Sequence, residues 1–186
     1  MITVKEERLL DNIPDFDVIL MPMGINNAMN QGFLFDIADR YPQVRESENN
    51  TPYGDKRKYG TVHCTETDGI IFASCYIHNG GYKKDANGAF LNMEALKECL
   101  QLIKKNFSNK KIASPILGVH KCDGNGVRQE IIDLITEYLN ECDITLFDFP
   151  QPDTKGERYR EKNKLYKSFK AGQITYDEWR SLSSTL

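Results

Sequence analysis

The 186-residue sequence has no apolar run near the roughly 18 consecutive residues that a membrane span needs. Its opening stretch, MITVKEERLLDNIPDFD, is charged too early and in both signs for a secretory leader, so a cytoplasmic location is expected. The five cysteines, Cys64, Cys75, Cys99, Cys122 and Cys142, form no C-x-x-C pair and are odd in number. That pattern argues against a disulfide framework, and no His or Cys pair has metal-ligand spacing, so free thiols and no metal are expected. With 13 Gly and 7 Pro, collagenous and low-complexity classes are also excluded.

An excess of positive charge is missing too. The net charge is −3, and it is divided unevenly: residues 151–186 hold 8 basic and 5 acidic side chains, residues 1–150 hold 16 and 22. An acidic body lacks the electrostatic footprint of a duplex-binding surface, so nucleic acid is not required as a partner. A phosphate ligand would have to be held mainly by backbone. The length supplies one core of ordinary size plus an appendage, and the break at Pro150-Gln-Pro152 divides a domain at 1–150 from a basic extension at 151–186.

Periodicity along the body alternates strand and helix. Ile2 to Lys5, Phe16 to Pro22, Gly60 to Thr65, Ile70 to His78, Lys111 to Leu117 and Asp143 to Phe149 read as strands. Helices are expected over Phe33 to Tyr41, stopped by Pro42, over Phe90 to Phe107, and over Val127 to Glu141. Asp68-Gly69 between two β-rich runs predicts a tight hairpin, because both residues tolerate positive φ. Residues 43–59 are polar and read as a surface excursion. In the extension, Glu157 to Lys170 has helical character and Thr175-x-x-Glu178 is a capping box, predicting a small helical hairpin. The body is therefore expected to be an α/β protein, a three-layer α/β/α sandwich on a mixed sheet.

In such sheets ligands gather at the carboxyl ends of strands. Three loops fall there: Gly24 to Gly32, Asn79 to Gly88, and Gly118 to Gly126. A Gly- and Asn-rich loop opening a helix leaves backbone N–H groups unpaired, and with the helix dipole these make an anion site; the same residues also simply make turns.

The order of the pieces resembles the macro domains that bind ADP-ribose. FDVILMPMGINNAMNQGFLFDIADRYPQV is similar to their first strand, Gly-rich loop and helix, and IASPILGVHKCDGNGV to their second such unit. The likeness is to the compact branch that includes the terminal ADP-ribose protein glycohydrolases, and it covers residues 2–149. There the pattern Met-Gly-Ala-Gly-Ile precedes a helix ending in a basic-aromatic pair; here Met29-Asn30-Gln31-Gly32-Phe33 and Arg40-Tyr41 stand in those places. The resemblance implies ADP-ribose or an ADP-ribosylated substrate as partner and no cofactor. Its diphosphate would lie on the backbone of Asn27 to Phe33 and of Gly118, Val119, His120 and Lys121. Adenine would lie near Glu7 and the adjoining Arg8, and the distal ribose near Gly24, Asn26, Asn27 and Asp123. The branch's nucleophilic Lys falls at Asn79, which favours a water-activating mechanism over a covalent one.

Individually, most of these residues carry two readings. Asp123 is a general base for the distal ribose or an Asx-turn cap on the helix that follows. His120 is a phosphate donor or proton carrier, Asn27 a ribose contact in the catalytic set, and Cys122 a loop thiol lining the site or an activated one. Phe33 either stacks on the ligand or belongs to the core. Glu7 accepts from adenine or is a solvated charge. The aromatic and basic residues of the extension pack on the body or form a surface for a protein partner or nucleic acid. Removal of a group from the distal ribose competes with non-catalytic reading of ADP-ribose as the function.

Overall fold

The computed structural model describes residues 2–30, 32–78, 91–117 and 124–148, together with 165, 168, 170, 173–175 and 178. Among these described residues six strands form one sheet in the order β1-β6-β5-β2-β4-β3. They are β1 (Ile2–Lys5), β2 (Val18–Gly24), β3 (Val62–Thr67), β4 (Ile70–His78), β5 (Lys111–Pro115) and β6 (Asp143–Phe147). All neighbours are parallel except β3 and β4, the hairpin pair.

That hairpin is closed by Asp68 at φ 54° and Gly69 at φ 76°. Two consecutive positive φ values match the right-handed twist of the flanking strands, which is why Asp-Gly announces the turn in sequence.

β2 explains the layering. Its side chains alternate, Val18 and Leu20 facing one core cluster and Ile19, Met21 and Met23 the other, so a run with no polar residue is buried on both faces. The first cluster is covered by α4 (Met93–Phe107) and α5 (Gly124–Leu139); from α4 it takes Leu96, Cys99, Leu100 and Ile103, from α5 Ile131, Ile135 and Leu139. The second is covered by α1 (Leu9–Asn12), α2 (Gly32–Arg40) and α3 (Pro42–Asn49), through Leu9, Leu10, Phe33, Ile37 and Val44. The expected three-layer sandwich is thus the observed one.

The boundaries shift modestly. α4 starts at Met93, where Asn92 caps it by accepting from the Ala95 N–H at 3.1 Å. α5 spans 124–139 in place of 127–141, and β5 and β6 each end two residues early. The larger correction concerns residues 43–59. Pro42 ends α2 but is also the first residue of α3, where its missing N–H costs nothing. Residues 56–58 form a 3-10 turn, and Glu48 and Lys58 are 0% and 7% exposed.

In the extension, Glu178 accepts from the Thr175 N–H at 2.7 Å and returns its own N–H to Thr175 Oγ1 at 3.3 Å, which is the capping box. The helical hairpin as a whole lies outside the described residues. Among the described residues no helix is long and apolar enough to cross a membrane.

Candidate functional site

β2 is the switch point of the sheet: the chain leaves it toward β3 and β4 on one side, then crosses back through α4 to β5 on the other. β2 and β5 pair only at Val18–Ile112 and Ile19–Ala113, whereas β2 runs on to Gly24 and β5 to Pro115. The two strands part toward their carboxyl ends, and a crevice in this position is where open α/β sheets take ligands. On the other side of β2 the pairing with β4 persists, with an irregularity at Met23/Gly24 that brings Gly24 opposite His78. The Ile25 N–H then donates to His78 O at 3.2 Å, anchoring the loop that leaves β2.

Along this loop Ile25, Asn27 and Met29 are buried, Asn26 and Ala28 half-buried, and Asn30 exposed. Asn26 Oδ1 is shielded from solvent and accepts no hydrogen bond from any described residue. A buried carbonyl oxygen in that state costs free energy that a ligand hydroxyl or amide can recover. Gly32, at φ 52°, opens α2.

Asn27 takes φ 56°, the left-handed region that Asn tolerates better than most side chains. Its side chain turns inward. Nδ2 donates to Glu48 O at 3.0 Å and to Thr51 O at 2.9 Å, and Oδ1 accepts from Lys58 Nζ. The Asn27 amide is thus engaged within the protein, and its backbone N–H donates to Gly24 O at 3.1 Å, closing the turn.

Lys58 Nζ also donates to Thr51 Oγ1 at 2.9 Å and to Ile25 O at 3.5 Å, and stands 3.9 Å from the centroid of the Tyr76 ring. Burial lowers its pKa, an effect that the charges of Glu48 and Asp55 oppose. The Tyr76 hydroxyl donates to Glu48 Oε2 at 2.7 Å. This polar cluster beneath the loop was missed in the sequence, where 43–59 read as surface. The available signal was Glu48, four residues after Val44 and so on its side of a helix that Pro42 can start.

Of the other sequence candidates, Phe33 is 8% exposed and packed in the core. Glu7 is exposed, 3.8 Å from Lys5 Nζ, and Arg8 is half-buried with its carbonyl accepting from Asn12 Nδ2 at 2.8 Å. Arg40 Nη1 donates to Leu10 O at 2.8 Å, and Tyr41 packs on Phe72, so the basic-aromatic pair ties α2 to α1 and the sheet. Arg128 at the first turns of α5 is ion-paired with Asp148 beyond β6. Gln31, Asn79, Gly118, Val119, His120, Lys121, Cys122 and Asp123 lie outside the described residues. Among the described residues no group of three or more His, Cys, Asp or Glu is placed to hold a metal.

No family model matches the chain, and no curated protein does. Solved structures do. The macrodomain of Thermus aquaticus DarG superposes with a TM-score of 0.62 at 13% identity, covering 80% of this chain and 98% of its own. A Bacteroides thetaiotaomicron protein of unknown function gives 0.64 at 17%, with coverage of 80% and 98%. Thermosipho africanus DarTG, solved in complex with ADP-ribose, gives 0.56 at 14%, covering 71% of this chain and 38% of its own. The fold is that of a macrodomain.

Proposed function

We propose that this chain binds ADP-ribose or a close derivative in the crevice beyond β2 and β5, and that it removes a group from the distal ribose. The observation that carries the reading is the parting of β2 and β5 at the switch point of a macrodomain fold. The ADP-ribose held by the Thermosipho structure supports the ligand class, and the unpartnered Asn26 Oδ1 supplies an acceptor for a ribose hydroxyl.

In this reading the backbone N–H groups that follow Asn27 up to Phe33, and those of Gly118 to Lys121, hold the diphosphate, which needs no cationic side chain because helix N-termini and free N–H groups serve. Glu7 and Arg8 flank the adenine. Asp123 takes a proton from a water that attacks C1'' of the distal ribose, the bond from C1'' to the leaving oxygen breaks, and His120 returns a proton to that oxygen. The substrate is an ADP-ribosyl link to protein or nucleic acid, or a 1''-phosphate. For the basic extension at 151–186, contact with a protein partner stands beside packing on the body, and loss of function with ADP-ribose affinity intact on deleting residues 151–186 would favour the partner. A second reading, a reader without turnover, is favoured by Asn79 and Asn30 standing where the related branch has Lys and Gly.

Calorimetric titration with ADP-ribose, against ADP and NAD, tests the ligand. Selective micromolar binding supports it; no heat with ADP-ribose overturns it. Loss of turnover in Asp123→Asn with binding retained would assign the hydrolase, whereas binding without turnover in the unaltered chain would assign the reader.

A further inference from the structure

We infer that Lys58 is a positioning residue for the ligand loop, acting through Asn27 to hold residues 25–30 in their binding conformation. Its ammonium reaches that loop at two points, Ile25 O and Asn27 Oδ1, from a turn some thirty residues on in the chain. The other contacts fix the ammonium itself: Thr51 Oγ1 and the face of Tyr76, whose hydroxyl is held in turn by Glu48. Asn27 is the joint of this arrangement. Its φ of 56° bends the loop, and its amide is fully used by Glu48 O, Thr51 O and Lys58.

An ammonium and a carboxylate sealed under a loop are expensive to bury, and well-packed apolar side chains would often stabilise a fold as well. What the polar cluster supplies that apolar packing does not is direction. Its hydrogen bonds permit one orientation of the Asn27 amide, and with it one path for the N–H groups that follow. Pre-ordering a loop in this way removes the entropy cost of ordering it at binding.

The ligand arm of the test rests on the ADP-ribose reading; the exchange arm does not. Lys58→Met is combined with Glu48→Gln so that no unpaired charge stays buried, and Asn27→Gly serves as a milder variant that keeps access to positive φ. Hydrogen exchange at the amides of residues 27–30 and 32–33 is expected to quicken tenfold or more in each, with β5 and β6 unchanged. The ADP-ribose dissociation constant should rise at least tenfold in each, and combining the substitutions should add less than twofold, because both cut the same connection. A general packing role would instead lower the melting temperature without local exchange or coupling. Exchange within twofold of the unaltered chain, or losses that multiply, overturns the inference. If the unaltered chain fails to bind ADP-ribose, the functional reading falls, and the exchange comparison with Asn27→Gly still decides the role of Lys58.

Discussion

The Tyr76 hydroxyl, on β4, donates to Glu48 Oε2, on α3, at 2.7 Å, and neither side chain is more than 2% exposed. Glu48 Oε1 has no hydrogen-bond partner among the described residues, so the phenol is the carboxylate's principal donor.

Removing that donor in Tyr76→Phe should cost about 2 kcal/mol, the range for a hydrogen bond to a buried charged group. The cost should depend on pH. Burial raises the Tyr76 pKa from 10.0, the Glu48 bond adds to this, and the Thr51 contact opposes it. A raised folded-state value gives a contribution that is complete below pH 10 and lost as pH climbs above it. Melting temperatures from pH 8 to 11 should therefore converge between the two proteins above pH 10; a constant gap would contradict the assignment.

Two glycines with similar φ should respond differently to alanine. Gly69, at φ 76°, has open space where a Cβ would be, so Gly69→Ala pays backbone strain alone, about 1 kcal/mol. Gly60, at φ 73°, would place a Cβ 2.9 Å from Glu98 Cβ, so Gly60→Ala should be clearly worse. Adding Glu98→Ala should not remove the whole loss, since the strain and the 2.9 Å contact with the Cβ of residue 98 both remain. Chemical denaturation of the three variants checks this ordering.

Leu96 is fully buried between α4 and the sheet, in the cluster that holds Val18 and Leu20. Leu96→Ala is expected to cost about 2–5 kcal/mol by lost transfer energy and a residual cavity. An m-value unchanged by the substitution would show that the same surface is exposed on unfolding.

Among the four described cysteines Cys64 is exposed, whereas Cys75, Cys99 and Cys142 are buried. A thiol reagent should label Cys64 first in the folded protein. Because local desolvation raises its pKa above 9.0, the rate should still be rising at pH 9, as thiolate is the reactive form. Comparable labelling of Cys75 without denaturant would contradict its burial.

The elements legible in the sequence are those whose physics is local. β2 announces itself as an apolar run, the hairpin through Asp68-Gly69, and α4 through the spacing of Leu96, Leu100 and Ile103. Residues 42–58 were not legible because their burial depends on partners far along the chain: Lys58 finds Asn27, and Glu48 finds Tyr76. Charge density there signals solvent unless the complementary groups are known to converge. The same holds within the candidate site, where Asn26 and Asn27 are alike in sequence. Only the left-handed turn at Asn27 sends one amide inward and leaves its neighbour's oxygen unpartnered.

The pairing of β1 with β6, Ile2 beside Ile144 through Lys5 beside Phe147, sets an order of events during synthesis. A chain emerging from the ribosome presents β1 well before its neighbour in the sheet, which is made more than a hundred residues later. Until then the first strand has an open edge, and β2 waits likewise for both β4 and β5. Contacts so remote in sequence form slowly, and exposed edges invite pairing between chains. The interval before residue 147 clears the exit tunnel is thus the period in which β1 needs shielding, and chaperone supply should raise the soluble yield if pairing between chains competes then.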